Sequence, residues 1–270
     1  AVVLPGVGAY AAYEVGVMKA LFNGLSPSTN FRALDPDMLI GSSAGAMNAM
    51  ALVAHDHHGL VKSVEHLEDV WLNRIAERAE GCGNGVYRIR GVPAEFLDPT
   101  CNSTKGFGLL ADLAEDTGVF VRSAFSTIAE LVGRPSRGPL TQRTLQLLNL
   151  SVLVSSKPFR ETLRTVIPLD GIRQSTRNLR IVAINLTTGK PAIFTEKDVD
   201  NLGYGPLLAS TALPIFFPPE QIEGQAYSNG SALAYTPLLP ALAEADELHV
   251  IFVDPDVKSI TSDRLDNTVD

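Results

Sequence analysis

Apolar positions near the start of the chain fall into short unbroken runs alternating with runs at helical spacing. Val2-Val3-Leu4, stopped by Pro5-Gly6-Val7-Gly8, has the pattern of a buried strand that ends in a glycine turn. Ala11, Val15, Met18 and Phe22 then recur at helical spacing and predict a helix. Asp37-Met38-Leu39-Ile40 predicts a second buried strand, and the alanine- and methionine-rich stretch from Ala44 to about His55 predicts a buried helix. The order is strand, sharp glycine turn, helix. Leu60, Val64, Leu67, Trp71 and Ile75 mark one apolar face of a third helix, with charged residues between them.

From about residue 80 to 156 the pattern breaks. Glycine, proline and asparagine punctuate this stretch, and its helical candidates, 123–132 and 140–150, are isolated. It reads as a helical insertion or cap. Beyond it, Pro158 to Val166 predicts a helix, while Leu179 to Leu186 and Ala192 to Thr195 predict strands around the turn Thr187-Thr188-Gly189-Lys190. Leu248 to Val253 closes the pattern as another buried strand. Strands alternating with helices imply a mainly parallel sheet covered on both faces, a three-layer α/β/α architecture. One domain over residues 1–270, with the cap inserted, is the expected organisation.

The 45% hydrophobic content is enough for a large buried core. A formal net charge of -8 argues against nucleic acid as a partner, since phosphate binding needs a clustered cationic surface. No run reaches the roughly 18 to 20 apolar residues of a membrane-spanning helix. The expectation is therefore a soluble domain, cytoplasmic or peripheral to a membrane. Cys82 and Cys101 are the only cysteines and do not make a disulfide framework.

The candidate chemistry starts at Gly41-Ser42-Ser43-Ala44-Gly45, a G-x-S-x-G match lying between a predicted strand and a predicted helix. Such an elbow strains its serine and needs small neighbours, and Gly41 and Gly45 meet that need. Ser43 is the nucleophile candidate. The glycine turn Gly6, Val7, Gly8, Ala9 opens a helix and can aim backbone N–H groups at one anion, either an oxyanion or a phosphate. A dinucleotide fingerprint lacks its third glycine here. The base is harder to find. His249 alone follows the serine in the order of a hydrolase triad, yet it sits in an apolar strand, where a structural histidine is the better reading. His55, Asp56, His57, His58 and His66 invite a metal reading, but contiguous helix-end residues point in different directions, so no metal site is expected.

Several segments together resemble the patatin-like phospholipase family. Gly6 to Val17 resembles its glycine-rich oxyanion motif and following helix, and Gly41 to Asn48 resembles its elbow. Ala209-Ser210-Thr211-Ala212-Leu213-Pro214-Ile215-Phe216-Phe217-Pro218-Pro219 resembles the segment before the family's catalytic acid, and Asn229-Gly230 falls where its aspartate-glycine pair belongs. The resemblance covers about residues 1 to 60 and 155 to 255. It implies a serine-aspartate dyad without histidine, with Ser43 as nucleophile, the Gly6, Val7, Gly8 and Ala9 backbone as oxyanion hole, and Gly41, Gly45 and Gly230 as supports. It also implies a lipid acyl ester substrate, transient membrane-surface contact and no cofactor.

The chain departs from that pattern at the acid. Asn229 is a neutral amide with no useful basicity near pH 7. Four accounts stay open: an aspartate changed to asparagine, a silent relative, a base supplied from elsewhere, or deamidation at the Asn-Gly bond. Asn-Gly is also the preferred two-residue hairpin turn, a purely structural role. Tyr10 replaces a basic residue, and Val7 and Ala11 replace glycines. Phe107, Leu109, Leu110 and Leu113, with Phe120, Val121 and Phe125, form either a lid over an acyl channel or a small helical core.

Overall fold

The structure is a computed structural model and describes residues 1–6, 8–76, 84–89, 154–214, 217–230 and 236–253. Its strands are β1 (Val2–Leu4), β2 (Met38–Ser42), β3 (Arg88–Ile89), β4 (Val154–Ser155), β5 (Asn178–Asn185), β6 (Lys190–Thr195), β7 (Glu220–Ile222), β8 (Gln225–Asn229) and β9 (His249–Val250). Seven of them form one sheet in the order β7-β8-β5-β2-β1-β9, with β6 also on β5. β9, β1, β2 and β5 are mutually parallel, and β7 shares their direction through two antiparallel pairings. The sheet is therefore mixed but mostly parallel.

Both faces of this sheet are covered, which is why its first strands read as unbroken apolar runs. Val2, Leu4 and Leu39 enter the main core, whereas Val3, Met38 and Ile40 enter a second cluster with Ala241. That is the alternation a pleated strand imposes. The main core takes side chains from α1 (Ala11–Phe22), α2 (Ala44–Ala54), α3 (Leu60–Val70), α4 (Lys157–Val166), α5 (Leu169–Gln174), α6 (Glu196–Leu202) and α7 (Gly205–Thr211). On the opposite face, Ala241 belongs to α8 (Leu238–Glu244). α2 is buried from Gly45 to Ala54, so it lies in the middle of the helical layer against the sheet.

The registers on β5 fix the geometry of everything that follows. β6 pairs with Arg180 to Asn185 along one edge. β2 pairs with Asn178 to Val182 and β8 with Ala183 to Asn185, so these two strands must share the other edge. They approach end to end from opposite directions.

Several expectations are refined here. β2 runs on through Gly41 and Ser42, and the third helix ends at Val70, continuing as a π-helical turn over Trp71–Ile75 that keeps Trp71 and Ile75 buried. The strand expected from Leu248 narrows to His249–Val250. The β7-β8 hairpin was not anticipated, and neither were α5, α6, α7 and α8. Of the insertion, the two ends are described: β3 and β4 pair antiparallel, Ile89 opposite Val154, and bring its ends together. The helical candidates at 123–132 and 140–150, the apolar set from Phe107 to Phe125, and Cys82 and Cys101 lie outside the described residues. Among the described residues, no helix is long and apolar enough to cross a membrane.

Candidate active site

Where β2 ends, opposite Val182, the chain turns out of the sheet through Ser43 into α2. Ser43 holds φ 54° and ψ -124°, a left-handed backbone that a side chain rarely adopts and that puts its hydroxyl at the head of the helix. β8 arrives from the other direction and ends on Asn229, opposite Ala183. The two side chains meet although 186 residues separate them: Asn229 Nδ2 donates to Ser43 Oγ at 2.9 Å. Asn229 is only 2% exposed, while Ser43 is half-buried.

Three glycines make the approach possible. A Cβ on Gly41 would lie 2.4 Å from the Gly45 carbonyl oxygen, and one on Gly45 would lie 2.4 Å from that of Leu4. A Cβ on Gly230 would lie 2.3 Å from the Val182 oxygen and 2.7 Å from Ser42 Oγ. β1, the elbow and the end of β8 thus pack backbone to backbone, with no room for a methyl group. Asn229-Gly230 is therefore not the hairpin turn that its composition allows. That turn is Glu223-Gly224, between Ile222 and its partner Gln225, with both turn residues at positive φ.

Ser210 locks the elbow and was not singled out by sequence reasoning. Its Oγ accepts from the Ser43 N–H at 2.8 Å and donates to the Val182 oxygen at 2.6 Å, tying the Ser43 backbone to β5. The segment after α7 performs the same service for β8. The Ala212 oxygen accepts from Asn229 N at 3.0 Å and from Ser228 Oγ at 2.8 Å. Ser210 and Ala212 both lie in the alanine-proline segment read from the sequence, which supplied the only available signal.

Ser43 opens into a cavity of about 260 Å³. Gly8, Ala9 and Ala44 line it beside the serine, and Met47, Trp71, Ile75, Phe159, Leu208 and Phe217 supply apolar walls. Gly8 has φ 58° in the 3₁₀ turn that leads into α1. Gly6 lies just before that turn, and Val7 is outside the described residues. Asn84, Val86 and Tyr87, at the root of the insertion, also line the cavity.

Behind the Trp71 wall lies a buried polar chain. Trp71 Nε1 donates to Asn48 Oδ1 at 2.8 Å, while Asn48 Nδ2 donates to the Ala11 oxygen at 2.9 Å and to Glu14 Oε2 at 2.8 Å. These bonds join the helix after the glycine turn, the helix after the elbow and the cavity wall. Glu14 is fully buried, and Glu14 Oε1 has no hydrogen-bond partner among the described residues. Burial, opposed by the Asn48 hydrogen bond, pushes its carboxyl up to about 8, so at neutral pH it is held largely protonated.

The alternative histidine sites separate from this centre. His249 pairs with Val2, at the end of β1 away from the glycine turn, and its ring faces Glu247 at 3.0 Å. His55 bonds the Val166 oxygen at 2.9 Å. Its pKa is lowered, first by burial and further by His66 and His57, against the raising effect of that hydrogen bond. Asp56 is taken by Arg177 at 2.6 Å. Among the described residues, no group of three or more His, Cys, Asp or Glu side chains is placed to hold a metal ion.

The sequence model of the patatin-like phospholipase family matches residues 2–242. Among solved structures, the chain is similar to VipD from Legionella pneumophila, at 15% identity and a TM-score of 0.44 over 92% of this chain. That match covers 48% of VipD, so the chain spans about half its length. Among curated proteins, no sequence matches.

Two variants test this packing. Gly230→Ala forces a methyl group into the Val182 carbonyl and should lower stability by about 2 kcal/mol or more, read as a shifted urea midpoint. Glu14→Gln removes a carboxyl whose pKa rises from 4.5 to about 8 on folding. A raised pKa means that stability is fully present below about pH 4.5 and declines as pH rises through about 8. The variant should therefore be more stable than the parent at pH 8, by on the order of a few kcal/mol, with a flatter pH dependence in urea titrations.

Proposed function

The chain belongs to the patatin-like phospholipase family, and from that premise we propose that Ser43 is the nucleophile of a serine acyl hydrolase acting on carboxylic esters of lipids. The observation that carries the proposal is Ser43 itself, held at positive φ at a helix head, opening into an apolar cavity and bonded to the residue at the end of β8. Ser43 Oγ attacks the ester carbonyl and the tetrahedral oxyanion collapses with loss of the alcohol. Water then releases the acyl group. The backbone N–H groups of the Gly6, Val7, Gly8 and Ala9 turn, with that of Ala44, are the proposed oxyanion donors. The acyl chain would lie along Met47, Trp71, Ile75 and Phe159. Tyr87 and Leu213 line the same cavity at 38% and 43% exposure, which suits transient contact with a lipid surface.

Asn229 is a poor destination for the serine proton. An amide that donates to Oγ cannot also take the serine proton, whereas a carboxylate in the same place could accept it and hold the charge. A second reading therefore has support of its own: a patatin-like module that binds lipid and does not turn it over. The donor geometry of Asn229 favours it. Deamidation is disfavoured, because the Gly230 nitrogen would have to swing onto the Asn229 side chain from a seat wedged against Val182.

Hydrolysis of a short-chain ester by the chain and by Asn229→Asp separates the readings. Restoring the base should raise kcat/KM by at least about tenfold, within the roughly 10² to 10⁴ that general-base catalysis supplies. Equal rates would mean that Asn229 does not occupy the position of the base.

A further inference from the structure

A second cavity, of about 330 Å³, adjoins the one that holds Ser43, and the two share Arg160, Leu208 and Glu220 as lining residues. α7 runs past both: Gly205 and Leu208 line the second cavity, Leu208 and Thr211 the first. At 1.5 Å per residue the step from Gly205 to Thr211 spans about 9 Å. The linings of the two cavities therefore lie within two helical turns of each other along α7.

The chemistry of the two cavities differs. The first is walled by apolar side chains, while the second carries Arg160, Arg164, Glu220 and Glu223 on its lining. Arg160 Nη2 donates to Glu220 Oε2 at 2.7 Å, a bond that joins α4 to β7 across the boundary between the cavities. A guanidinium has five N–H donors in a fork, so this bond leaves Arg160 able to bind a further oxyanion. Arg164 is one turn along α4 on the same lining, is exposed, and makes no ion pair among the described residues. Two cations and two carboxylates on one lining suit a ligand that carries both signs. A purely anionic group would meet Glu220 and Glu223, on a chain whose net charge is already -8.

We propose that the cavity bounded by Arg160, Arg164, Glu220 and Glu223 binds the zwitterionic headgroup of a glycerophospholipid, with its phosphate on the arginines and its ammonium toward the glutamates. The proposal rests on Ser43 being the site of acyl-ester attack, and it narrows the substrate to lipids with a phosphoammonium headgroup. Arg164 is the residue that reads the phosphate. Arg160 both reads it and holds the wall.

Trp71 is the single tryptophan of the chain and lines the Ser43 cavity, so its fluorescence reports lipid entry without any need for turnover. The chain is titrated with dihexanoylphosphatidylcholine, dihexanoylphosphatidylglycerol and dihexanoylglycerol, each as monomers in solution. Phosphatidylcholine should bind about tenfold or more tighter than the diacylglycerol, as expected for charge-assisted hydrogen bonds to the phosphate. It should also bind tighter than phosphatidylglycerol. In Arg164→Gln the affinity ratio between phosphatidylcholine and dihexanoylglycerol should fall toward one with an unchanged urea midpoint, and Glu223→Gln should narrow the gap to phosphatidylglycerol. Equal affinity for the three lipids, an unchanged ratio in Arg164→Gln, or no Trp71 response to any of them would overturn the headgroup site. Preferential phosphatidylcholine binding that depends on Arg164, with no hydrolysis by Asn229→Asp, would support the site while overturning the hydrolase reading.

Discussion

One edge of one strand carries the site. β6 occupies the far side of β5, leaving the near side to be divided between β2, which runs along Asn178 to Val182, and β8, which comes back along Ala183 to Asn185. Two strands that meet head to head on a shared edge bring their last side chains together. Here those ends deliver Ser43 and Asn229, and the junction closes only because Gly230 can sit against the Val182 carbonyl. Ser210 uses that same carbonyl to hold the elbow, so Val182 is the common anchor for Ser43 and Asn229.

The constraint explains why geometry and chemistry come apart in this chain. Backbone packing positions Asn229, and an asparagine fits where an aspartate would fit, so the mounting of Ser43 does not depend on which is present. Basicity does depend on it. The Glu14-Asn48-Trp71 chain adds a second tie, from the helix of the glycine turn to the helix of the elbow and on to the cavity wall. A protonated carboxyl serves this purpose because it keeps a net charge out of the core.

Much of the site was legible in the sequence because its parts are local. Gly41 to Gly45 lies between an apolar strand and a buried helix, and Gly6 to Ala9 follows the first strand, so each reads as strand, turn and helix from its own neighbours. The family resemblance then pointed to Asn229. What stayed hidden was non-local or looked ordinary. Glu220 to Asn229 is mostly polar and lacks the apolar run of a central strand, so the β7-β8 hairpin did not stand out, and the turn signal fell on Asn229-Gly230, not on Glu223-Gly224. Glu14 and Asn48 read as unremarkable polar positions until their helices were packed together. Ser210 shows no propensity signal at all, since its role is defined by the Ser43 N–H it accepts from.

The central claim is the proposal that Ser43 is the nucleophile and that Asn229, its partner at the end of β8, cannot serve as its base. The rate of covalent labelling of Ser43 by a fluorophosphonate tests it most directly, compared between the chain, Asn229→Asp and Ser43→Ala. The account predicts slow labelling of the chain, labelling at least about tenfold faster with aspartate at 229, and none in Ser43→Ala. Equal rates with asparagine and aspartate, or label retained in Ser43→Ala, would contradict it.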